Sequence, residues 1–480
     1  MQFLKKINSA SIYLVSRYFV YGVQFLNSLL IALYLGPFYL GIWGFFNLIL
    51  QYTEQINLGI ANANNVFLSI GKNKKTYNSY LVGNSIIQLG IVSFIIISGL
   101  FIIFYYFQIG TEYNIKEFFI PIAIITFTTY INSLLLNIMR VYDKLTLIII
   151  AQAFYPLLTL FVLLLVKKEI LLESLVYSYL VSNLILTIIF LYYNPIKIRY
   201  NFDKDLFYVI LNKAIPLFLY NCFFYLIMIS TRTAVSLNYS VAEFGIFTFT
   251  FSLSNIVLLL FESITFLIWP KLIHRFSIAK NEEAKNILTK AREVYLVSSH
   301  FLMYIALLFY PLFVLFFEKY QNSYKAFGFN LLAVMILNAA FGFQPFIISK
   351  SKQKFLSYLS FFCFILNLII SSLIIWVLHL TFEYVIIASM ISYLLFTLSS
   401  GLYTYTAIHE TSTVKKIQNI LPFRIFLPFT LIILLLAFNI YNTYFILLVF
   451  SLFLFLNYKK VIDLKILVAR IFNQPDFFKI

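Results

Sequence analysis

The chain has 480 residues, 62% of them hydrophobic and only 11% charged, against roughly 25% charged residues in an ordinary soluble domain. A mean hydropathy of +0.92 over that length excludes a single water-soluble core, and the lack of polar–apolar alternation within the apolar runs excludes a membrane β-barrel. The formal charge of +17, from 35 Lys+Arg against 18 Asp+Glu, would suggest nucleic acid in a soluble chain, but here the basic residues gather between alternate apolar runs, which points to a membrane and to no nucleic-acid partner.

Fourteen apolar segments follow in chain order, at about 10–34, 38–62, 79–107, 116–138, 145–166, 170–193, 212–234, 242–270, 293–317, 327–349, 355–379, 382–408, 422–439 and 442–458. Each is near the ~20 residues that cross about 30 Å of hydrocarbon as a helix. The first contains Arg17 and lacks a small-residue cleavage site, so it reads as a retained helix and not as a signal peptide. Gly36-Pro37 is a turn dipeptide. Lys72, Lys74 and Lys75 are too polar for hydrocarbon, Pro195 ends the sixth segment, and Pro422 opens the thirteenth, where a missing N–H costs nothing. Asn281–Lys290 reads as a short amphipathic surface helix. The expected fold class is all-α, a polytopic membrane protein.

The basic residues orient it. With the N-terminus in the cytoplasm, 28 of the 35 Lys+Arg fall on the cytoplasmic side, and Lys116, Lys167, Lys168, Lys319 and Lys325 fall opposite. That bias predicts a multi-pass protein with both termini cytoplasmic. Outer loops of about ten residues or fewer leave no space for an extracytoplasmic catalytic or receptor domain. Cys222 and Cys363 lie inside apolar runs and offer neither a disulfide framework nor metal spacing. No paired carboxylates, metal-ligand spacing or phosphate-cradling glycine loop is present, so the expectation is no enzyme, no catalytic residue, no metal and no cofactor.

The chain repeats itself at an offset of about 204 residues. Phe38-Tyr39-Leu40-Gly41-Ile42-Trp43-Gly44-Phe45 resembles Ala242-Glu243-Phe244-Gly245-Ile246-Phe247-Thr248-Phe249, each opening the second helix of its half. A second echo joins Arg140-Val141-Tyr142-Asp143-Lys144 to Lys350-Ser351-Lys352-Gln353-Lys354. Six helices per repeat keep both halves in one orientation, a parallel repeat about an axis along the membrane normal. The expected organisation is an N-lobe over 1–206 (helices 1–6), a C-lobe over 207–408 (helices 7–12), and helices 13–14 with a cytoplasmic tail over 409–480.

A charge in hydrocarbon is costly unless it faces a cavity or a partner. Arg17, Glu54, Arg232 and Glu262 stand on equivalent helices of the two halves. Each lies on a stripe of polar residues at helical spacing: Tyr13, Arg17, Tyr21, Gln24 and Ser28 on helix 1; Asn47, Gln51 and Glu54 on helix 2; Asn221, Tyr225 and Arg232 on helix 7; Ser252, Asn255 and Glu262 on helix 8. These faces suggest one water-filled cavity between the halves. Its expected lining is Arg17, Tyr21, Gln24, Asn47, Gln51, Glu54, Asn221, Tyr225, Arg232, Asn255 and Glu262. Bland readings stand beside it. Arg17 could snorkel inward or form a structural pair with Glu54, Arg232 could snorkel outward, and Glu262 could serve a proton or another helix. His300 reads as a satisfied interfacial histidine.

Leu35-Gly36-Pro37-x-x-x-Gly41-Ile42-Trp43, followed by Asn57-Leu58-Gly59-Ile60-x-Asn62-Ala63, resembles the multidrug/oligosaccharidyl-lipid/polysaccharide (MOP) flippase superfamily, and within it the polysaccharide-transporter branch of Wzx-type O-antigen flippases. Asn57 stands where that branch commonly has Asp. The resemblance implies a MATE-like fold of two six-helix lobes plus two helices. It also implies a flippase that carries an undecaprenyl-pyrophosphate-linked oligosaccharide, an O-antigen or capsule repeat unit of lipopolysaccharide or polysaccharide biosynthesis, across the bacterial inner membrane by alternating access. Membrane lipids, a glycan polymerase and a chain-length regulator are the implied partners, and H+ or Na+ the candidate coupling ion. The alternatives within the fold are a cation-coupled multidrug or small-molecule exporter and a lipid II-type flippase.

Overall fold

The structure, a computed structural model, describes residues 9–70, 74–410, 412–440 and 442–473. The termini, and with them Lys5, Lys6, Lys72 and Lys479 of the basic count, lie outside the described residues. Among those described there is no strand. The helices are α1 (Ser9–Gln55), α2 (Ile60–Ile70), α3 (Lys75–Phe101), α4 (Phe119–Val141), α5 (Leu145–Leu165), α6 (Leu171–Tyr192), α7 (Lys204–Asn238), α8 (Val241–Ile278), α9 (Asn281–Val314), α10 (Tyr324–Asn338), α11 (Phe343–Ser349), α12 (Gln353–Ser372), α13 (Phe382–Ala407), α14 (Thr413–Ile420), α15 (Phe423–Ala437) and α16 (Thr443–Asn473).

Twelve helical stretches among the described residues are long and apolar enough to cross a membrane, thirteen if the bent pair α14–α15 makes one span. The first, Val15–Gln55, has 41 residues, about 60 Å at 1.5 Å per residue, or two crossings of a ~30 Å hydrocarbon layer. Gly36 divides it, with the non-helical angles φ 68° and ψ 176°. Pro37 then sits where a new helix has no use for its N–H. The fourteen expected spans therefore all have counterparts, and the polytopic all-α class is the one found.

The interruptions depart from expectation. The second span, expected to run unbroken to about residue 62, ends at Gln55. Leu58 (φ 54°) and Gly59 (φ 69°) turn the chain in left-handed conformations, and the Asn57 side-chain oxygen accepts the Gly59 N–H at 2.8 Å. An amide oxygen closes this turn as a carboxylate would, so Asn57 in place of Asp keeps the turn. The tenth span is likewise broken, at Ala339–Gly342, where Gly342 has φ 88°. The surface helix expected over 281–290 is the first part of α9, one rod that continues into the ninth span.

The chain packs as two units, Val15–Gly245 and the remainder. In the first, Ile60, Leu68, Leu81, Leu134, Ile138 and Ile210 pack together from α2, α3, α4 and α7. Polar side chains reinforce the joint of α4 and α6: Asn132 donates to the Asn183 carbonyl at 3.0 Å and accepts from Thr187 at 2.9 Å. The segment between α6 and α7 seats along α3. Arg199 N–H donates to the Ser79 carbonyl at 3.2 Å, Ser79 Oγ donates to the Lys197 carbonyl, and Asn84 donates to the Asp203 carbonyl at 2.8 Å. Gly83 makes the seat possible, since a Cβ there would collide with the Arg199 carbonyl.

Both glycines of the repeat motif, Gly41 and Gly245, also fall in this unit. A Cβ on Gly41 would collide with the Val241 carbonyl, and one on Gly245 with the Pro37 carbonyl. The chain near Pro37–Gly41 thus crosses the chain near Val241–Gly245, each glycine making way for the carbonyl of the residue just before the other block.

In the second unit Arg292 is 2% exposed, although its charge reads in sequence as part of a cytoplasmic loop. It donates to the carbonyls of Ala339 (2.6 Å), Phe341 (2.7 Å) and Ile420 (2.9 Å). Its guanidinium lies 3.8 Å from the Phe343 ring centroid. The break between α10 and α11 releases backbone carbonyls that need donors, and Arg292 provides them. His300 is buried, with Nδ1 2.9 Å from the Leu296 carbonyl and its ring edge-on to Phe426 and Phe429.

Candidate functional site

The candidate site lies in the first unit, around the last turn of α1. Tyr130 is the middle residue of α4, and its hydroxyl donates to the Thr53 carbonyl at 2.5 Å. This bond sets the level of the neighbouring Glu54 at about half the length of a spanning helix. Thr53 is buried and Glu54 is exposed. Tyr130, Tyr179 and Tyr225 all come within Coulombic reach of the Glu54 carboxylate. The Tyr179 ring meets Tyr155 edge to face, centroids 4.4 Å apart. A carboxylate at this depth is tolerated where it lines a polar recess and not where it faces hydrocarbon. Tyr130 of α4, Tyr179 of α6 and Tyr225 of α7 are polar groups near enough to feel the carboxylate's charge.

One turn away toward the start of α1's second half, Gln51 accepts from Arg232 Nη1 at 2.6 Å, and Arg232 Nη2 reaches the Gly44 carbonyl at 3.4 Å. Arg232 is 3% exposed, which rules out snorkelling to the outer surface. The adjacent residues repeat the tie, with the Tyr52 and Thr233 hydroxyls 2.7 Å apart. Tyr225 lies two turns from Arg232 on the same helix and feels the charges of both Glu54 and Arg232. Gln51, Glu54, Tyr225 and Arg232 are therefore brought into one neighbourhood, with Tyr225 within Coulombic reach of both charges.

The other expected residues sort differently. Arg17 is half-buried, its guanidinium 4.8 Å from the centroid of the Tyr21 ring, and Tyr21 is buried. Gln24 is half-buried, and its carbonyl accepts from Ser28. Among the described residues no ion pair joins Arg17 to Glu54. Asn47 donates to the Trp43 carbonyl of its own helix at 2.7 Å. Asn221 is exposed. Asn255 is half-buried and belongs to the second unit, as does Glu262, whose side chain lies outside the described residues.

Sequence reasoning passed over Tyr130, Tyr155, Tyr179 and Tyr52. Tyrosine is too common to stand out, with 36 in the chain. The available signal was the company they keep: Thr128-Thr129-Tyr130 precedes Asn132-Ser133, and Tyr179 precedes Ser182-Asn183, polar runs inside apolar spans. Among the described residues no group of three or more His, Cys, Asp and Glu is placed to hold a metal.

No protein-family model matches this sequence, and no curated protein matches it. Solved structures do. An inward-facing multidrug resistance MATE-family transporter of the MOP superfamily aligns with a TM-score of 0.65 over 85% of this chain and 100% of its own, at 12% identity. The chain has the MATE-type fold. The lipid II flippase MurJ, in an inward closed conformation, shares it with a TM-score of 0.57, 14% identity, 95% of this chain and 99% of MurJ. A variant of the Vibrio cholerae MATE transporter VcmN aligns with a TM-score of 0.57, 16% identity, 83% of this chain and 95% of VcmN. The MATE-type architecture implied by the motifs around Gly36-Pro37 and Asn57-Leu58-Gly59 is thus present.

Proposed function

We propose that this protein is a flippase. Its substrate would be an undecaprenyl-pyrophosphate-linked oligosaccharide, an O-antigen or capsule repeat unit, moved from the inner to the outer leaflet of the bacterial inner membrane by alternating access. The observation that carries the reading is Glu54, an exposed carboxylate at half the depth of the helices with tyrosines from three helices around it. Carboxylates and phenol hydroxyls bind sugar hydroxyls, tyrosine faces stack on sugar rings, and transporter sites of this kind lie near the bilayer midplane. Arg17 is the group we assign to the pyrophosphate, because a planar guanidinium can grip it with two bonds. MurJ, named as a lipid II flippase, has the same fold. The six-plus-six-plus-two organisation, a glycan polymerase and chain-length regulator as partners, and H+ or Na+ coupling at Glu54 belong to the same proposal.

Deletion should leave lipid-linked repeat units on the inner leaflet and abolish surface glycan while the enzymes that assemble the units still work. Arg17→Ala and Glu54→Gln should each cut export strongly at normal membrane abundance. Arg17→Lys should keep part of it, because the charge persists and the fork is lost. Normal surface glycan in a clean deletion, with no related transporter present, would refute the assignment.

A second reading is favoured by one observation: Glu54 has no ion-pair partner among the described residues, as a cation-coupled small-molecule exporter would require. In that case deletion sensitises cells to lipophilic cations and leaves surface glycan intact.

The basic split supports a cytoplasmic location for both termini. Reporter fusions at Gln2 and Ile480 should behave as cytoplasmic ones; activity only on the outer side would reverse the topology.

A further inference from the structure

The short helix α14 was not legible in the sequence, and it does not run on straight into the span that follows it. Its eight residues, Thr413–Ile420, are capped by Ser412, whose Oγ accepts from Lys415 N–H. The axis bends by 64° into α15, so α14 lies across the end of that span instead of prolonging it. Its far end is fixed. Ile420 is fully buried, so close to Gly401 that a Cβ there would sit 2.6 Å from Ile420 Cγ1. The Ile420 carbonyl accepts from the buried Arg292 at 2.9 Å.

The rest of the helix is presented outward. Val414 is 64% exposed and Ile417 45%, three residues apart and so on one face. Phe423, just beyond, is 68% exposed. Lys415 is exposed, and Lys416 donates to Thr406 Oγ1 at 2.9 Å. The nearby acid, Glu410, is already matched: Lys285 bonds it at 2.6 Å, and that bond holds the Glu410 carboxyl below the usual range. Lys415 and Lys416 flank the same carboxylate and remain as net positive charge. Apolar side chains beside lysines, on a helix turned across the end of a span, match the plane where acyl chains meet head groups.

We propose that α14 is an interfacial helix that binds anionic phospholipid, with Val414, Ile417 and Phe423 in the acyl boundary and Lys415 and Lys416 on the head-group phosphates. The charge complementarity chooses lipid over a protein occupant: a second copy of this strongly basic chain would bring like charge to the same lysines.

The test is amide hydrogen exchange of the full-length protein in nanodiscs of phosphatidylcholine, with and without phosphatidylglycerol. Phosphatidylglycerol should slow exchange over residues 413–420 by about tenfold or more, the scale of two lysines at an anionic surface. The double variant Lys415→Gln/Lys416→Gln should lose that dependence while matching the wild type in pure phosphatidylcholine, and Lys415→Arg/Lys416→Arg should keep it. Equal exchange of the wild type in both lipids would overturn the proposal. So would an undiminished response in the glutamine variant, or protection that follows protein-to-lipid ratio and not lipid charge, which would put a second copy on this face.

Discussion

Replacing Arg232 with alanine is expected to lower the thermal stability of the purified protein sharply and to reduce its abundance in the membrane. The guanidinium is 3% exposed and serves Gln51 Oε1 at 2.6 Å and the Gly44 carbonyl at 3.4 Å. Its removal leaves the half-buried Gln51 amide oxygen without its charged donor and takes the second bond from the Gly44 carbonyl. A hydrogen bond to a charged group contributes about 1.5–3 kcal/mol, so a loss of about 3 kcal/mol is the expected scale. Arg232→Lys should fall between, since a single ammonium on a shorter stem cannot fork to both oxygens. Melting in detergent and quantitative immunoblotting of membranes measure it. Wild-type melting of the alanine variant together with lost export would move Arg232 from a tie between α1 and α7 to a substrate-binding group.

Gly245→Ala is expected to be as damaging, for a different reason. The added Cβ would lie within collision distance of the Pro37 carbonyl oxygen and 2.7 Å from its carbon, and backbone cannot rotate away as a side chain can. Overpacking typically costs about 1–3 kcal/mol where side chains yield; a backbone clash belongs at or above the top of that range. Gly41→Ala should behave alike, with Val241 backbone and Cγ1 in the way. Gly90→Ala is the control, because a Cβ there meets nothing within 4 Å, and it should be neutral or slightly stabilising. Small residues at such crossings let helices in a membrane approach to backbone contact. Melting of Gly245→Ala at the wild-type temperature would mean that the two blocks can separate enough to admit a methyl group at little cost.

The spans were legible because hydrocarbon thickness imposes a length that any apolar run must meet. The glycine repeat was legible for a related reason: only glycine admits a carbonyl at Gly41 and Gly245, so both positions show in sequence. The breaks were not. At Ala339–Gly342 the chain stays apolar and Asn57–Gly59 lies inside the apolar segment 38–62, while the polar groups that make the breaks tolerable are one side-chain oxygen on Asn57 and an arginine 47 residues before Ala339. Arg292 was read by charge alone, which places it near an interface and says nothing of burial. At the candidate site the polar stripes include Gln51 and Arg232, which the structure joins by a hydrogen bond, and Glu54 and Tyr225 beside them. They could not foresee that tyrosines from α4 and α6 would come within Coulombic reach of Glu54, because the placement of helices distant in sequence leaves no periodic trace.

The seating of residues 197–203 along α3 has a consequence for the order in which the protein can be built. Asn84 finds its carbonyl partner on Asp203, 119 residues later in synthesis, and Gln51 waits 181 residues for Arg232. When the ribosome has delivered α3, the notch at Gly83 is vacant, and it stays so until the chain beyond α6 has emerged. Six inserted helices are thus an unfinished object, with open polar groups on α1 and α3. Assembly of the first unit is completed by the seventh helix, so a chain stalled between Tyr193 and Lys204 presents the membrane's quality-control proteases with those groups uncovered.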